Sequence, residues 1–209
     1  LRLYVKLVFV RFLTHETLNS SIKSKLLEKT KVVERKHPLS LTVTLRNGKT
    51  KIYLDSTKKV PSVERQTFTA IEQVADSYLL IYRQLWESSN YVLLSLKNGF
   101  EYPLAGYPLV SPNRQYMLTA AQDLDTGFNE NLLELYRLTA SDLTLIYRTK
   151  PEVWGPATIN WETNSQVTFT KKQFNPDYGV TENNPLFLES KAQLKIEPDN
   201  RVILNDTIP

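Results

Sequence analysis

The stretch LTVTLRNGKTKIYLDS, at residues 41–56, most constrains the fold of this chain. Polar and apolar residues alternate on both sides of Asn47-Gly48, which is typical of two antiparallel strands joined by a two-residue turn. Further runs of strand-forming residues follow, and short polar turns separate them. The sequence therefore predicts a succession of antiparallel hairpins from Leu41 to the C-terminus.

Strand-forming residues dominate the rest of the chain, and the aromatic share of 11% favours strands over helices. The stretch YLLIYRQLWESSNYVLLSLKNG begins at Tyr78 and has two apolar runs around a short polar turn, so it predicts a second hairpin. Residues 62–76 fit both a helix and a strand, so no element is predicted there. In the C-terminal part the sequence predicts strands at 186–188, 192–196 and 201–204, and the last two form a closing hairpin.

The N-terminal part differs from the rest by its charge. Residues 1–60 hold 14 Lys and Arg against 4 Asp and Glu, whereas residues 61–209 hold 12 against 18. Apolar residues at near-helical spacing, followed by a proline, predict an amphipathic basic helix over residues 14–37. We therefore divide the chain into a basic N-terminal strand/helix segment, 1–40, and a single β-rich domain, 41–209.

This basic segment is compatible with several kinds of partner. A basic surface is typical of proteins that meet nucleic acid, a membrane surface or an acidic protein, but it is more often only a solvated face. We favour the solvated face, predict no nucleic-acid partner and keep contact with a membrane surface as the alternative. Residues 1–13 resemble both a strand and the remnant of a targeting segment, and their apolar run is too short to cross a membrane. The sequence predicts no particular oligomeric state.

Missing residue types and motifs exclude several kinds of site. The chain has no Cys and only two His, which excludes disulfides, thiolate metal sites and multi-histidine metal centres. It has no glycine-rich phosphate loop, no hydrolase nucleophile motif and no zinc-protease motif. Glu87, Glu152 and Glu162 lie near aromatic residues and are candidates for the paired acids of a glycoside hydrolase. Their separation, which defines that mechanism, is not visible in the sequence.

The densest group of oxygen ligands lies at residues 123–134. Asp at positions 1 and 3 and Glu at position 12 resemble a calcium-binding loop, but Gly127 and Phe128 stand where a ligand and the required glycine are needed. Asp and Asn also serve loop geometry, because they tolerate turns and positive φ. We therefore expect a connection between strands and no cofactor, with calcium as the alternative. The calcium ligands would be Asp123, Asp125, Asn129 and Asn131.

Residues 91–119 and 143–170 share a plan of strand, turn, proline-glycine element, strand, polar turn and strand, about 51 residues apart. Such periods are typical of propeller blades. Within the first copy, Ser111-Pro112-Asn113-Arg114-Gln115 resembles the Ser-Pro-Asp-Gly-Lys turn of β-propeller-type (tryptophan-aspartate-like) repeats in bacterial secreted and periplasmic proteins, without the glycine. The resemblance covers about residues 78–175. It implies a β-rich scaffold that binds something, in an extracytoplasmic bacterial protein, and it supplies no catalytic residues.

Together these patterns predict a mainly β fold, with antiparallel hairpins in a propeller-like or sandwiched arrangement and one N-terminal amphipathic helix. We expect a non-catalytic protein that recognises a protein or peptide partner through exposed loops around Asp123–Asn131 and Trp154–Trp161. Large aromatic residues would anchor the partner, although the same residues also suit packing between sheets. The candidate binding residues are Tyr107, Arg114, Trp154, Trp161 and Tyr178.

Two other functions compete with this expectation. One is an immunity-type inhibitor that occludes the active site of a toxin, because the acidic body of the chain suits a basic target. The other is a carbohydrate-active enzyme with paired carboxylates.

Overall fold

The structure is a computed structural model, and it describes residues 32–37, 39–125, 130–179 and 184–205. In this part of the chain the fold is mainly β and consists of four antiparallel sheets, as the sequence predicted. One short 3-10 turn, Ser62–Glu64, is the only helical element among the described residues. The chain divides into two compact units between Pro103 and Leu104.

The first unit contains a three-stranded and a four-stranded sheet, in which each strand pairs with its neighbours in the sequence. The strands are β1 (Val33–His37), β2 (Ser40–Thr44) and β3 (Thr50–Leu54), then β4 (Thr67–Val74), β5 (Tyr78–Gln84), β6 (Ser89–Ser95) and β7 (Glu101–Leu104). Strands β2 and β3 are the hairpin predicted at Asn47-Gly48. Gly48 has a φ of 79°, and the Lys49 N–H donates to Asn47 Oδ1 at 3.0 Å. The hairpin predicted from Tyr78 onward is formed by β5 and β6.

Alternating side chains join the two sheets of the first unit around one core. Leu41 and Val43 of β2 share a buried cluster with Leu79 and Ile81 of β5. Each of these side chains is at most 2% exposed. Burial of an aliphatic side chain of this size stabilises a fold by about 1.5–3 kcal/mol. Leu41 and Val43, like Leu79 and Ile81, lie two residues apart and therefore share one face of their strand.

The second unit contains two four-stranded sheets, and strand order again follows the sequence. The strands are β8 (Leu109–Val110), β9 (Tyr116–Ala121), β10 (Leu132–Leu138) and β11 (Leu143–Thr149), then β12 (Trp154–Trp161), β13 (Gln166–Phe174), β14 (Phe187–Ile196) and β15 (Val202–Asn205). Leu118 and Leu133 of one sheet share a buried cluster with Val167 and Phe169 of the other. The predicted closing hairpin is formed by β14 and β15.

Alternate connections lie at the same end of the strands, because each sheet is an antiparallel meander. In the second unit, the end that we call the turn end has the connections 111–115, 139–142, 162–165 and 197–201. The opposite end, which we call the loop end, has the connections 105–108, 122–131, 150–153 and 175–186. The two ends separate the candidate residues into two groups.

The structure corrects the predicted N-terminal helix where the two overlap. Val33–His37, the last residues of that helix, form strand β1, which pairs with β2. Val33 is buried in the core of the first unit, and this burial outweighs the helical spacing of a few apolar residues. Residues 14–31 of the predicted helix, and the strand or targeting segment at 1–13, lie outside the described residues. Contact of the basic segment with a membrane surface stays a prediction.

The predicted boundary at residue 40 falls where β1 and β2 pair with each other. The division between the two compact units lies elsewhere, between Pro103 and Leu104, and the predicted domain boundary stays a prediction. Residues 62–76, whose sequence fits both a helix and a strand, contain the 3-10 turn and then β4.

The predicted repeat of about 51 residues is out of register with the sheets. Its first copy begins on β6, the third strand of a sheet, whereas its second begins on β11, the last strand of another. The three four-stranded sheets begin at Thr67, Leu109 and Trp154, which are 42 and 45 residues apart. Polar turns separate all consecutive strands, so turns at different positions of two sheets look alike in the sequence. The predicted repeat aligned such turns, which explains the error.

Candidate functional site

Most candidate residues lie at the loop end of the second unit. The structure places there the described residues Tyr107, Asp123, Asp125, Asn131, Trp154 and Tyr178. Arg114 and Trp161 lie at the turn end instead. Since β12 runs from Trp154 to Trp161, these two tryptophans are separated by more than about 20 Å along the strand. The eight candidates therefore do not form one site.

Neighbouring connections of the loop end are in contact. Lys150 forms an ion pair with Glu130 at 2.7 Å, which joins connection 150–153 to connection 122–131. Gly155, the second residue of β12, lies so close to Gln122 that a β carbon there would overlap the Gln122 side chain. These two connections therefore form one continuous surface.

Asn175 organises the longest connection of the loop end. Its Nδ2 donates to the Pro185 carbonyl at 2.9 Å, and its Oδ1 accepts from the Asp177 N–H at 3.0 Å. Asn184 Nδ2 donates to the Asp177 carbonyl at 2.7 Å. Asn175 is buried, so its own two bonds are partly shielded from water, and the three bonds together hold the two described ends of the connection together.

Exposed apolar residues surround this connection, and we call four of them the apolar patch: Val153, Phe174, Tyr178 and Leu186. Phe174 packs against Phe187 on the neighbouring strand, with ring centroids 5.0 Å apart. The register pairs Trp154 with Gln173, which places Val153 beside Phe174. The exposed fractions range from 39% to 71%, and exposed apolar residues grouped in this way mark an interaction surface.

The loop end is acidic. The described residues of its four connections carry five carboxylates against one lysine, Lys150: Asp123, Asp125, Glu130, Glu152 and Asp177. Close to them, Lys171 Nζ lies 4.5 Å from the centroid of the Trp154 ring, which covers part of that ring with a cation. A surface of this composition attracts positively charged groups.

Among the described residues, the structure shows no group of side chains that would support the predicted calcium site. Asn131 Oδ1 accepts from the Asp123 N–H at 2.9 Å and closes the base of its loop. Glu134, at the twelfth position of the resemblance, is buried in β10 and is ion-paired. Asn129 lies outside the described residues. Across 32–37, 39–125, 130–179 and 184–205 no three carboxylate or imidazole side chains are grouped to hold a metal. Calcium binding stays a prediction.

Below the loop end, β10 carries the buried carboxylate of Glu134, which the calcium prediction placed at the twelfth position of its loop. Glu134 Oε1 accepts from Arg148 Nε at 2.8 Å and forms an ion pair with the same guanidinium. Glu134 Oε2 accepts from the Tyr136 hydroxyl at 2.9 Å and from Thr119 Oγ1 at 3.2 Å. Burial and the hydrogen bond to Glu134 raise the pKa of Tyr136 well above its ordinary value, so its hydroxyl remains a donor. The carboxylate is thus held as part of the sheet. A charged residue inside the apolar run LLELYRL was the signal for it.

Trp154 and Trp161 take part in packing, which was the alternative role predicted for the large aromatic residues. Trp154 stacks on Phe169 with centroids 5.9 Å apart, and Trp161 Nε1 donates to the Leu109 carbonyl at 3.0 Å. Because Trp154–Trp161 is strand β12, the exposed loop predicted there is wrong. Tyr178, by contrast, is 57% exposed.

Two of the candidate acids for glycoside hydrolysis lie at opposite ends of one strand. Glu152 precedes β12 and Glu162 follows it, so they are more than about 20 Å apart along the strand. The paired acids of a glycoside hydrolase lie roughly 5–10 Å apart. Glu162 instead accepts from Thr168 Oγ1 at 2.7 Å. Glu152 and Glu162 therefore do not form such a pair.

No protein-family model matches this sequence, and a search of curated proteins finds no match. The resemblance to propeller-type repeats therefore rests on the turn residues quoted above. None of the helical structure in the described ranges is long and apolar enough to span a bilayer.

Proposed function

We propose that this protein binds a polypeptide partner, without catalysing a reaction, at the loop end of its second unit. The observation that carries the proposal is the apolar patch beside connections of net negative charge. An apolar surface and charges of one sign are the two features by which one protein recognises another.

The apolar patch supplies the anchors. Tyr178 and Phe174 are large, have few rotatable bonds and stand exposed, which is typical of the side chains that dominate binding energy. The hydrogen bonds of Asn175 hold Tyr178 in place before binding, since the Tyr178 N–H donates to the Asn175 carbonyl at 3.1 Å. A loop that is already ordered loses less entropy on association.

The acidic connections select the partner. Among the described residues, five carboxylates against one lysine favour a partner surface that carries Lys or Arg beside its apolar residues. Because the charges are exposed, their attraction is screened above about 0.15 M salt, so association should slow as salt rises. Dissociation should depend mainly on the apolar contact.

Site-specific photocrosslinking tests this proposal. Tyr178 and Arg114 are replaced, one at a time, by a photoreactive phenylalanine, and each protein is irradiated in an extract of the source organism. Both positions are exposed, but only Tyr178 lies at the loop end. We expect a covalent polypeptide adduct from position 178 and none from position 114.

The captured polypeptide is then purified, and its dissociation constant is measured with the unmodified chain and with Tyr178→Ala. We expect weakening of at least about tenfold, the effect of removing an aromatic anchor. Equal adduct yields at positions 178 and 114, or an unchanged dissociation constant, would contradict the proposal.

We further propose that the scaffold is of the propeller type. Three successive four-stranded meanders that start 42 and 45 residues apart support this, since propeller blades have that strand count and period. Two turns of one kind, Ser111–Gln115 and Glu197–Arg201, also support it. Each has Pro second, Asn or Asp third and a positive φ fourth, at Arg114 (58°) and Asn200 (64°). A crystal structure in which the sheets form two separate sandwiches, without a common axis, would contradict it.

Inhibition of a toxin is a narrower form of the same proposal. The acidic loop end favours it, because an inhibitor of a basic enzyme presents acidic groups to the active site. The extracytoplasmic bacterial location, which follows from the resemblance alone, stays a prediction.

A further inference from the structure

The chain has two Asn-Gly sequences, Asn47-Gly48 and Asn98-Gly99, and a basic residue precedes each of them. Both lie in the first unit, one between β2 and β3 and the other between β6 and β7. We call these connections the Asn47 turn (residues 45–49) and the Asn98 turn (residues 96–100). Asparagine before glycine is the pair most prone to lose ammonia, because glycine has no side chain that would hinder attack by its backbone nitrogen.

Both turns hold the asparagine side chain in the same way. Asn47 Oδ1 accepts from the Lys49 N–H, and Asn98 Oδ1 accepts from the Phe100 N–H, each at 3.0 Å. When the next backbone nitrogen adds to Cγ, negative charge develops on Oδ1, and a backbone N–H already aimed at this oxygen stabilises that charge. Both asparagines are also exposed to water. These features favour the loss of ammonia equally at the two sites.

The two turns differ in how firmly they hold the glycine whose nitrogen must attack. The Gly48 N–H donates to the Leu45 carbonyl at 3.0 Å, and no heavy atom lies within 4 Å of the place that a β carbon of Gly48 would take. The Gly99 N–H donates to the Ser95 carbonyl at 2.9 Å, and the Gly99 carbonyl accepts from Lys51 Nζ at 3.0 Å. A β carbon on Gly99 would lie only 3.0 Å from Leu45 Cδ1. Among the described residues, Gly99 is therefore held through both of its backbone groups, and Gly48 through its N–H alone.

We propose that Asn47 is a site of spontaneous modification, and that the fold protects Asn98 from the same reaction. The Gly48 nitrogen forms a bond to Asn47 Cγ, the bond between Cγ and Nδ2 breaks, and ammonia leaves with the proton of the Gly48 N–H. Water then adds to one of the two carbonyl carbons of the cyclic imide, and the bond from that carbon to nitrogen breaks. The residue becomes aspartate or isoaspartate. Because the nitrogen reaches Cγ only after the turn opens, the reaction is slower where more hydrogen bonds must break first.

The modification changes the tip of the hairpin formed by β2 and β3. It places a negative charge between two exposed cations, Arg46 and Lys49. Isoaspartate also adds one carbon to the backbone of a turn that is closed by the Leu45 N–H, which donates to the Lys49 carbonyl at 2.8 Å. These changes concern the first unit, so the proposal is independent of the function proposed for the loop end of the second unit.

Peptide mapping by mass spectrometry tests the proposal on the whole chain. The chain is kept at mildly alkaline pH, either folded or unfolded in guanidinium chloride, and the mass gain of each Asn-Gly peptide is followed with time. The unfolded chain is the control, and there we expect the two asparagines to convert at similar rates. In the folded chain we expect Asn47 to convert at least about tenfold faster than Asn98, since one more hydrogen bond, from a charged donor, holds Gly99.

Two lysine variants test the cause of the difference. Lys51→Met removes the donor to the Gly99 carbonyl, and it should raise the rate at Asn98 at least about fivefold without changing the rate at Asn47. Lys49→Met is the matched control, because it removes an exposed lysine of the Asn47 turn and should leave Asn98 unchanged. The same effect of both variants on Asn98 would overturn the proposal. So would equal rates at the two asparagines of the folded chain without substitutions, faster conversion of Asn98, or no conversion of Asn47, and these outcomes are decisive even if Lys51→Met folds poorly.

Discussion

In the second unit, the connections at the turn end are four or five residues long, whereas those at the loop end reach twelve residues. The turn end is closed by its own side chains. Ser111 Oγ accepts from the Tyr116 N–H at 3.0 Å, and Thr139 Oγ1 accepts from the Asp142 N–H at 3.0 Å. At the loop end, connections touch one another, and the apolar patch stands exposed beside them.

The two ends of the second unit differ in what they contribute: the turn end contributes to stability, and the loop end offers a surface for recognition. Short turns satisfy their own backbone groups, so they set the pairing of each hairpin through residues next to one another. Long connections depend on a few buried side chains, and their exposed residues are free to contact other molecules. The turn end therefore fixes the sheets, and the loop end is the surface on which a binding function can be placed.

The largest effect should come from Gly106 at the loop end. A β carbon at this position would overlap the Ala120 backbone oxygen, which cannot rotate away. We expect Gly106→Ala to lower the free energy of unfolding by about 3 kcal/mol. Gly155→Ala is the control, because its β carbon meets the flexible Gln122 side chain, and we expect about 1 kcal/mol. Urea unfolding measures the free energy of unfolding of both variants. Equal losses would mean that the Ala120 backbone moves away from a new β carbon as easily as the Gln122 side chain does.

The next effect lies in the sheet just below the loop end. Arg148→Met removes the guanidinium that pairs with the buried Glu134 carboxylate. We expect a loss of about 2 kcal/mol, below the roughly 3–5 kcal/mol of fully buried pairs, because Arg148 is half exposed. Arg137→Met, an exposed residue on β10, is the control and should cost less than about 0.5 kcal/mol. A similar loss in both variants would show that the pair is not what stabilises this sheet.

A matched pair of polar residues compares the two ends directly. Asn175→Ala at the loop end and Ser111→Ala at the turn end each leave a shielded backbone group without its partner. We expect each to lower the free energy of unfolding by about 1–2 kcal/mol. Only Asn175→Ala should also weaken binding of the crosslinked partner, because it alone loosens the connection that carries Tyr178. Weaker binding in both variants would break the comparison.

Much of the turn chemistry was predictable from the sequence, because it depends on residues next to one another. Asn47-Gly48 and the turn at Asn98-Gly99 both place a glycine at positive φ, and in both an Asn side chain accepts from a backbone N–H two residues on. The hairpin beginning at Tyr78 followed from two apolar runs around one polar turn. Such signals need no knowledge of the rest of the fold.

The site was less predictable, because its residues meet across strands. Glu134 and Arg148 are neighbours only through the register of β10 and β11, which contains a bulge. Trp154 and Trp161 looked alike in sequence, yet a strand places them at opposite ends.

The smallest effect concerns the turn end alone. Arg114 has a φ of 58°, in the left-handed region that disfavours most side chains, and it occupies the position where the resembled turn has glycine. Arg114→Gly should relieve this conformation and raise the free energy of unfolding by about 0.5 kcal/mol, since the added freedom of the unfolded chain offsets part of the gain. Asn200→Gly is the matched control. Its φ is 64°, but asparagine tolerates this region, so we expect no measurable gain. Thermal unfolding of both variants measures the difference, and partner binding should be unchanged in each. A loss of binding in Arg114→Gly would place a recognition residue at the turn end and remove the division between the two ends.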